Sequence, residues 1–88
     1  MAQQIQGQQI QGQLKADQVL DTQGLLCPMP VIQASGAIKD LASGQLLKIL
    51  ATDPGSKADF PAWAESLGHR LVSLEEDHGV YVYWVQKG

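Results

Sequence analysis

The sequence predicts a two-layer α/β sandwich with the element order βαβαββ, in which two helices cover one face of a four-stranded mixed sheet. Short strand-like segments alternate with two segments whose apolar residues recur every three or four positions. The last two strand-like segments follow each other directly, with a hairpin signal between them. Because crossovers between parallel strands are right-handed, both helices should pack on the same face, which favours the strand order 1-2-4-3.

The first strand is predicted at residues 19–22, and the first helix at about residues 28–41. One side of this helix is mostly apolar and carries Val31, Ala34, Ser35, Ile38 and Leu41. Gly44 follows, and glycine readily adopts the left-handed conformation that ends many helices. Residues 45–52 carry Leu and Ile on both faces, which indicates a second strand in the interior of the sheet.

The second helix follows a turn at residues 53–56, and its apolar stripe consists of Phe60, Trp63, Ala64 and Leu67. Ser56 and Asp59 resemble a capping box, in which two side chains cap the helix N-terminus reciprocally. Since Pro61 has no backbone N–H to donate, we expect the regular helix to begin only near Asp59. Gly68 is the predicted end of this helix.

Residues 70–75 and 80–86 are predicted as the last two strands, joined by a hairpin through residues 76–79. We interpret the rings of Trp63 and Trp84 as core side chains and not as ligand platforms, because large aromatic side chains dominate the packing of small cores.

The first 16 residues differ in composition from the rest of the chain. The pentapeptide Gln-Gln-Ile-Gln-Gly occurs twice in tandem, at residues 3–7 and 8–12. A segment rich in Gln and Gly buries too little apolar surface to offset the entropy cost of ordering it. We therefore expect a disordered tail at residues 1–16 and one folded domain at residues 17–88. The alternative is that Ile10 and Leu14 dock against the sheet.

Composition excludes several classes of protein. The chain has 88 residues, 44% of them hydrophobic, which is typical of one small globular domain. A net charge of −3 and six scattered Lys and Arg residues argue against direct nucleic-acid binding. No apolar run is long enough to span a bilayer, and the first residues do not resemble a signal peptide. Together with one unpaired cysteine, these features predict a cytoplasmic protein without membrane contacts.

The only cysteine, Cys27, lies between the first strand and the first helix, in the segment Gly-Leu-Leu-Cys-Pro-Met-Pro. We predict Cys27 as the N-cap, with Pro28 at N1 and Pro30 at N3, where proline is tolerated. The positive end of the helix dipole should then lower the pKa of Cys27 moderately and favour the nucleophilic thiolate. Among the first three helical residues, Met29 alone keeps an amide that could support the sulfur.

A single cysteine also limits the chemistry. An internal disulfide and a Cys-x-x-Cys redox cycle are impossible, and one thiolate with two distant histidines is too few ligands for zinc. The alternative to a reactive Cys27 is a buried cysteine that packs as a small hydrophobic side chain.

The predicted topology places both helix N-termini beyond the carboxyl ends of the first two strands, so the Cys27 loop and the turn at residues 53–56 should be neighbours. The hairpin with His78 emerges at this same end, whereas His69 lies at the other end. His78 could act as a base, but the strand order sets the hairpin on the order of 10 Å from the cysteine strand. We therefore interpret His78 as a solvated turn residue.

The chain resembles the TusA/SirA-like sulfur-carrier family. The resemblance covers residues 19–87, and the matching motifs are Leu20-Asp21, Gly24-Leu25, Cys27-Pro28-x-Pro30, Asp53-Pro54 and Asp59-Phe60-Pro61. It implies a βαβαββ sandwich in which Cys27 is the catalytic residue of a sulfurtransferase. That cysteine accepts a sulfane sulfur as a persulfide and passes it on, in pathways such as tRNA thiolation, cofactor assembly or sulfur oxidation.

The same resemblance implies the partners. They are a sulfur donor, such as a cysteine desulfurase or a rhodanese, and an acceptor protein. We expect the carrier itself to be a monomer without a metal, and without a cofactor because the chain has no Gly-rich phosphate loop and no lysine in a recognisable motif. Members that relay sulfur toward tRNA tend to have a basic residue before the cysteine and an acidic one between the prolines. Leu26 and Met29 stand there instead, which predicts an apolar rim around the thiol. The alternative function is a non-catalytic regulatory or interaction module, in which Cys27 senses redox state or is structural.

Overall fold

The computed structural model describes residues 14–88. Their order along the chain is βαβαββ, as predicted, with the elements β1 (Gln18–Thr22), α1 (Met29–Ile38), β2 (Leu46–Ala51), α2 (Ser56–Leu67), β3 (Arg70–Asp77) and β4 (Val80–Gln86). Residues 1–13, which make up most of the predicted tail and include Ile10, lie outside the described residues.

The four strands form one mixed sheet in the order β1-β2-β4-β3, which confirms the predicted order 1-2-4-3. Strands β1 and β2 are parallel, with Gln18 opposite Leu47 and Thr22 opposite Ala51. Strand β4 is antiparallel to both β2 and β3. The carboxyl ends of β1 and β2 and the β3–β4 hairpin therefore lie at the same end of the sheet.

The core lies between the helices and one face of the sheet. Alternate residues of β2 and β4 are buried there, because successive side chains of a strand point to opposite faces. The phenyl ring of Phe60 occupies the centre, with its centroid 4.6 Å from the ring of Tyr83 and 5.7 Å from that of Trp63. The cluster contains Ala34, Ile38, Leu41, Leu47, Ile49, Ala51, Phe60, Trp63, Ala64, Tyr81, Tyr83 and Val85.

The two tryptophans lie on different sides of the sheet. Trp63 belongs to the core, and its indole N–H donates to the hydroxyl of Ser35 at 2.8 Å. Trp84 is also buried, but it alternates with Tyr83 and Val85 and so faces away from the helices. Lys48 lies opposite Trp84 on β2, with its Nζ 5.4 Å from the centroid of the indole ring.

The predicted first helix is too long at its C-terminal end. Helix α1 ends at Ile38, because the N–H groups of Asp40 and Leu41 donate to the carbonyls of Ala37 and Ile38 in tighter turns. Leu41 remains buried in the core although it lies outside the helix. Leu41 therefore still packs in the core as predicted, although the helix is shorter than predicted.

The predicted start of the second helix is also wrong. Helix α2 begins at Ser56, since Pro61 removes only one hydrogen bond and the residues before it are already helical. The N-cap is Gly55, and no capping box forms. The hydroxyl of Ser56 instead shares a hydrogen bond with the hydroxyl of the buried Tyr83 at 2.7 Å. The carboxylate of Asp59 accepts a hydrogen bond from the side chain of Cys27.

The hairpin is tighter than predicted. Strand β3 continues to Asp77 and strand β4 begins at Val80, so that only His78 and Gly79 form the turn. Both turn residues have positive φ, at 52° and 84°, which is the geometry of a two-residue turn whose twist matches that of the strands. In the part of the chain that the structure describes, no helix has the length and apolarity needed to cross a membrane.

Candidate functional site

Two loops meet at the carboxyl ends of β1 and β2, as the topology predicts. The backbone N–H of Gly24 donates to the hydroxyl of Thr52 at 2.9 Å. The backbone N–H of Cys27 donates to Oδ2 of Asp53 at 2.7 Å. These two bonds join the Cys27 loop, after β1, to the turn that follows β2, and they fix the position of the cysteine backbone.

The first turn of α1 begins one residue later than predicted. Its N-cap is Pro28, not Cys27, because the Pro28 carbonyl accepts the first helical hydrogen bond from the N–H of Ile32 at 3.2 Å. Pro30 accordingly lies at N2 and not at N3. The bond between Cys27 and Pro28 is a cis peptide.

The backbone N–H of Met29, which is predicted to support the sulfur, has another partner. The N–H of Met29 donates to the carbonyl of Leu26 at 2.9 Å. Neither Pro28 nor Pro30 has an N–H to replace it. The start of α1 therefore provides much less support to a thiolate than a helix N-terminus ordinarily does.

The partner of the Cys27 thiol is a carboxylate. The thiol donates to Oδ2 of Asp59, in the first turn of α2, over a distance of 2.7 Å. Asp53 is close as well, since its Oδ1 accepts from the N–H of Gly55 at 3.2 Å while its Oδ2 holds the Cys27 backbone. The sulfur thus lies beside two acidic side chains.

This arrangement shifts the pKa of Cys27 upward, opposite to the predicted direction. The main cause is the hydrogen bond to Asp59, which stabilises the protonated thiol, followed by loss of solvation and by the negative charges of Asp59 and Asp53. The predicted lowering by the helix dipole is therefore wrong in sign.

Cys27 is exposed, which rules out the alternative of a buried structural cysteine. Three apolar side chains of the Cys27 loop and the first turns of α1 are exposed as well: Leu26 (72%), Met29 (40%) and Ile32 (54%). Met29 and Ile32 lie three residues apart in α1 and therefore on neighbouring positions of its surface. We call these three side chains the apolar rim; the sequence predicts Leu26 and Met29 but not Ile32.

Neither histidine is a hydrogen-bond partner of the thiol in the part of the chain that the structure describes. His78 is almost fully exposed in the β3–β4 turn, and its Nδ1 lies 2.5 Å from Oδ1 of Asp77. His69 follows α2 at the opposite end of the sheet, where its Nδ1 accepts from the N–H of Gly88 at 3.0 Å and its ring centroid lies 5.5 Å from that of Trp63.

We expect His78→Ala to leave sulfur transfer unchanged, because the ring is almost fully exposed and its partner among the described residues is Asp77, the last residue of β3. The rate of sulfur loading from a persulfide donor, compared between the wild-type protein and the variant, checks this expectation. A severalfold loss of rate in His78→Ala would instead identify His78 as a participant.

The comparison with known proteins identifies the family. The family model described as "Sulfurtransferase TusA" matches residues 18–87, which is nearly all of the described chain. The chain belongs to the TusA family. Its members include the sulfur carrier protein TusA of Pseudomonas aeruginosa (strain UCBPP-PA14), which is 46% identical over 71 residues that cover 81% of this chain and 90% of the relative.

Further relatives agree with this assignment. The sulfur carrier protein TusA of Pseudomonas putida (strain GB-1) is 45% identical over 71 residues, covering 81% of this chain and 89% of its own length. Among solved structures, the SirA-like protein from Desulfitobacterium hafniense superposes with a TM-score of 0.71 at 30% identity, and the match covers 81% of this chain and 97% of that one. A TusA-family chain is a sulfur carrier, so it interacts with a sulfur donor and a sulfur acceptor.

Proposed function

We propose that Cys27 accepts a sulfane sulfur as a persulfide and passes it to the thiol of an acceptor protein. The observation that carries this proposal is an exposed free thiol whose backbone is fixed by Asp53 at the end of the sheet. A sulfur atom in such a position can be approached by the reactive group of another protein. The family, whose named relatives are sulfur carriers, supports the same role.

The chemistry needs no cofactor, because it consists of two displacements at sulfur. In the first, Sγ of Cys27 attacks the terminal sulfur of a donor persulfide; the new S–S bond forms, the S–S bond of the donor breaks, and the donor leaves as a thiol with one proton. In the second, the acceptor thiol attacks the terminal sulfur and Cys27 returns as a thiol. The sulfane sulfur moves between thiols without net oxidation or reduction.

The donor is a protein that forms a persulfide, of the cysteine desulfurase or rhodanese class. The acceptor belongs to tRNA thiolation, cofactor assembly or sulfur oxidation, and the carrier itself is a monomer that does not contact nucleic acid, in keeping with its net charge of −3. An exposed thiol persists unoxidised in a reducing compartment, which supports a cytoplasmic location.

Intact-mass measurement after incubation with a persulfide donor tests this function. We expect a gain of one sulfur atom that dithiothreitol removes. If only a glutathione adduct or a sulfenic acid forms, Cys27 is a redox-sensing thiol and the carrier function is refuted.

We further propose that the apolar rim contacts the partner. An acceptor must approach the thiol past Leu26 and Met29, and exposed apolar side chains beside a reactive atom are suited to brief contact with an apolar surface. The double variant Leu26→Arg, Met29→Glu should still load sulfur from a small-molecule persulfide. We expect its transfer to the native acceptor to slow severalfold in a sulfur-transfer assay.

A matched control makes this prediction specific. Leu67 and Val72 are exposed apolar residues away from the thiol, so Leu67→Arg, Val72→Glu introduces the same charges elsewhere. We expect that variant to transfer sulfur at the wild-type rate. If the two double variants transfer sulfur equally fast to every acceptor tested, the rim does not select the partner.

A further inference from the structure

We propose that Asp59 is a second catalytic residue, which holds the proton of Cys27 on the sulfur at rest and accepts that proton during sulfur transfer. The inference rests on the proposed function, because it assigns the proton of the same displacement at Cys27. Its starting point is the direct hydrogen bond from Sγ of Cys27 to Oδ2 of Asp59, at 2.7 Å.

Both ends of this hydrogen bond are held by backbone contacts. Asp59 lies in the first turn of α2, where its N–H donates to the carbonyl of Gly55 at 3.2 Å. Cys27 is held by its own N–H, which donates to Asp53 at 2.7 Å. The contact thus joins the Cys27 loop to the first turn of α2, 32 residues further along the chain.

The charges around the sulfur favour the protonated thiol. Asp59 and Asp53 are the charged groups that act on Cys27, and both raise its pKa. The carboxylate of Asp21, on β1, is engaged by the N–H of Gln23 at 3.0 Å, and the first turn of α1 contains no acidic residue. The cation closest in sequence to Asp59 is Lys57, whose Nζ lies 5.3 Å from the ring centroid of Tyr81.

A protonated Cys27 is protected from side reactions. The thiolate is the form that reacts with oxidants and alkylating agents, so a thiol held by a carboxylate reacts slowly with them at neutral pH. An exposed carrier thiol gains from this protection, since an irreversible oxidation would end its function.

During transfer, the same carboxylate can receive the proton without any movement of the chain. As Sγ attacks the terminal sulfur of the donor persulfide, its proton moves along the existing hydrogen bond to Oδ2 of Asp59. The S–S bond of the donor breaks, and the departing donor thiolate then takes the proton from Asp59. Cys27 ends as a persulfide, the donor as a thiol and Asp59 as a carboxylate.

The variant Asp59→Asn tests both parts of the proposal, because asparagine has nearly the same shape but carries no charge and is a poor proton acceptor. We expect the pH profile of Cys27 alkylation by iodoacetamide to move to lower pH, so that the rate at neutral pH rises severalfold. Loading from a persulfide donor should not rise in proportion, so the ratio of the loading rate to the alkylation rate should fall severalfold.

Asp40→Asn is the matched control, because it removes the same charge beyond the C-terminal end of α1. We expect both of its rates to equal those of the wild-type protein. An unchanged alkylation profile in Asp59→Asn, or an unchanged ratio of the two rates, would overturn the proposal. Alkylation involves no sulfur transfer, so the proposal about Asp59 can be refuted by the alkylation profile while the carrier function stands. Wild-type protein that gains no sulfur would instead refute the carrier function.

Should Asp59→Asn fail to fold, the wild-type protein provides an equivalent test. Cys27 in the folded protein should react with iodoacetamide severalfold more slowly at neutral pH than the same cysteine in a peptide of residues 24–30. Equal rates for the protein and the peptide, measured at several pH values, would also overturn the proposal.

Discussion

Phe60→Ala is expected to lower the free energy of unfolding by about 3–5 kcal/mol, the range found when a buried aromatic side chain is truncated. Phe60 is fully buried between α2 and the sheet, and its ring contacts those of Tyr83 and Trp63. Since a small domain is stable by only about 5–15 kcal/mol, this one change removes a large part of the total. Urea denaturation followed by tryptophan fluorescence measures the difference.

Leu67→Ala is the control for this effect. Leu67 lies on the same helix and is exposed, so its truncation should change the free energy of unfolding by less than about 1 kcal/mol. If Phe60→Ala were no more destabilising than Leu67→Ala, the packing of α2 on the sheet would be wrong.

Cys27→Ser is expected to abolish sulfur loading, because the chain contains no second thiol that could accept the sulfur. The fold should be retained for three reasons. The side chain is exposed, the backbone bond to Asp53 does not involve the sulfur, and a serine hydroxyl can donate to Asp59 as the thiol does. Intact mass after incubation with a persulfide donor measures sulfur loading, and a thermal melt measures the stability of the fold.

Two outcomes would contradict this prediction. A Cys27→Ser variant that still carries reducible sulfur would place the carrier function elsewhere, and a variant that melts far below the wild-type protein would make Cys27 a structural residue. The second result would also conflict with the exposure of its side chain.

The fold was predictable because the apolar spacing within each short segment indicates a strand or a helix without reference to distant residues. The order of strand-like segments and segments with helical apolar spacing predicts the elements βαβαββ, and the right-handed crossover rule then gives the strand order. Element ends were less predictable, since they depend on single hydrogen bonds such as that from Ile32 to Pro28. The same bond moves the N-cap of α1 from Cys27 to Pro28.

The environment of the thiol could not be predicted from its neighbours in sequence. The residues next to Cys27 predict support from the helix dipole and the Met29 amide. In the structure that amide donates to the carbonyl of Leu26, and Asp59, 32 residues away in sequence, contacts the sulfur. The sequence contains one signal for this contact, the Asp59-Phe60-Pro61 segment, which is one of the motifs that carry the resemblance to the family. The spacing of Ser56 and Asp59 predicts a capping box because it carries no information on the tertiary partner of Asp59.

A chase of isotope-labelled sulfur tests the carrier function most directly. The wild-type protein is loaded with labelled sulfur by a cysteine desulfurase or a rhodanese, separated from the donor, and mixed with an acceptor protein, and both proteins are then analysed by peptide mass spectrometry. We predict that the label is first found on the peptide that contains Cys27 and afterwards on a thiol of the acceptor, leaving Cys27 unmodified. Label that never reaches Cys27, or that stays on Cys27 with every acceptor tested, would contradict a sulfur-carrier function.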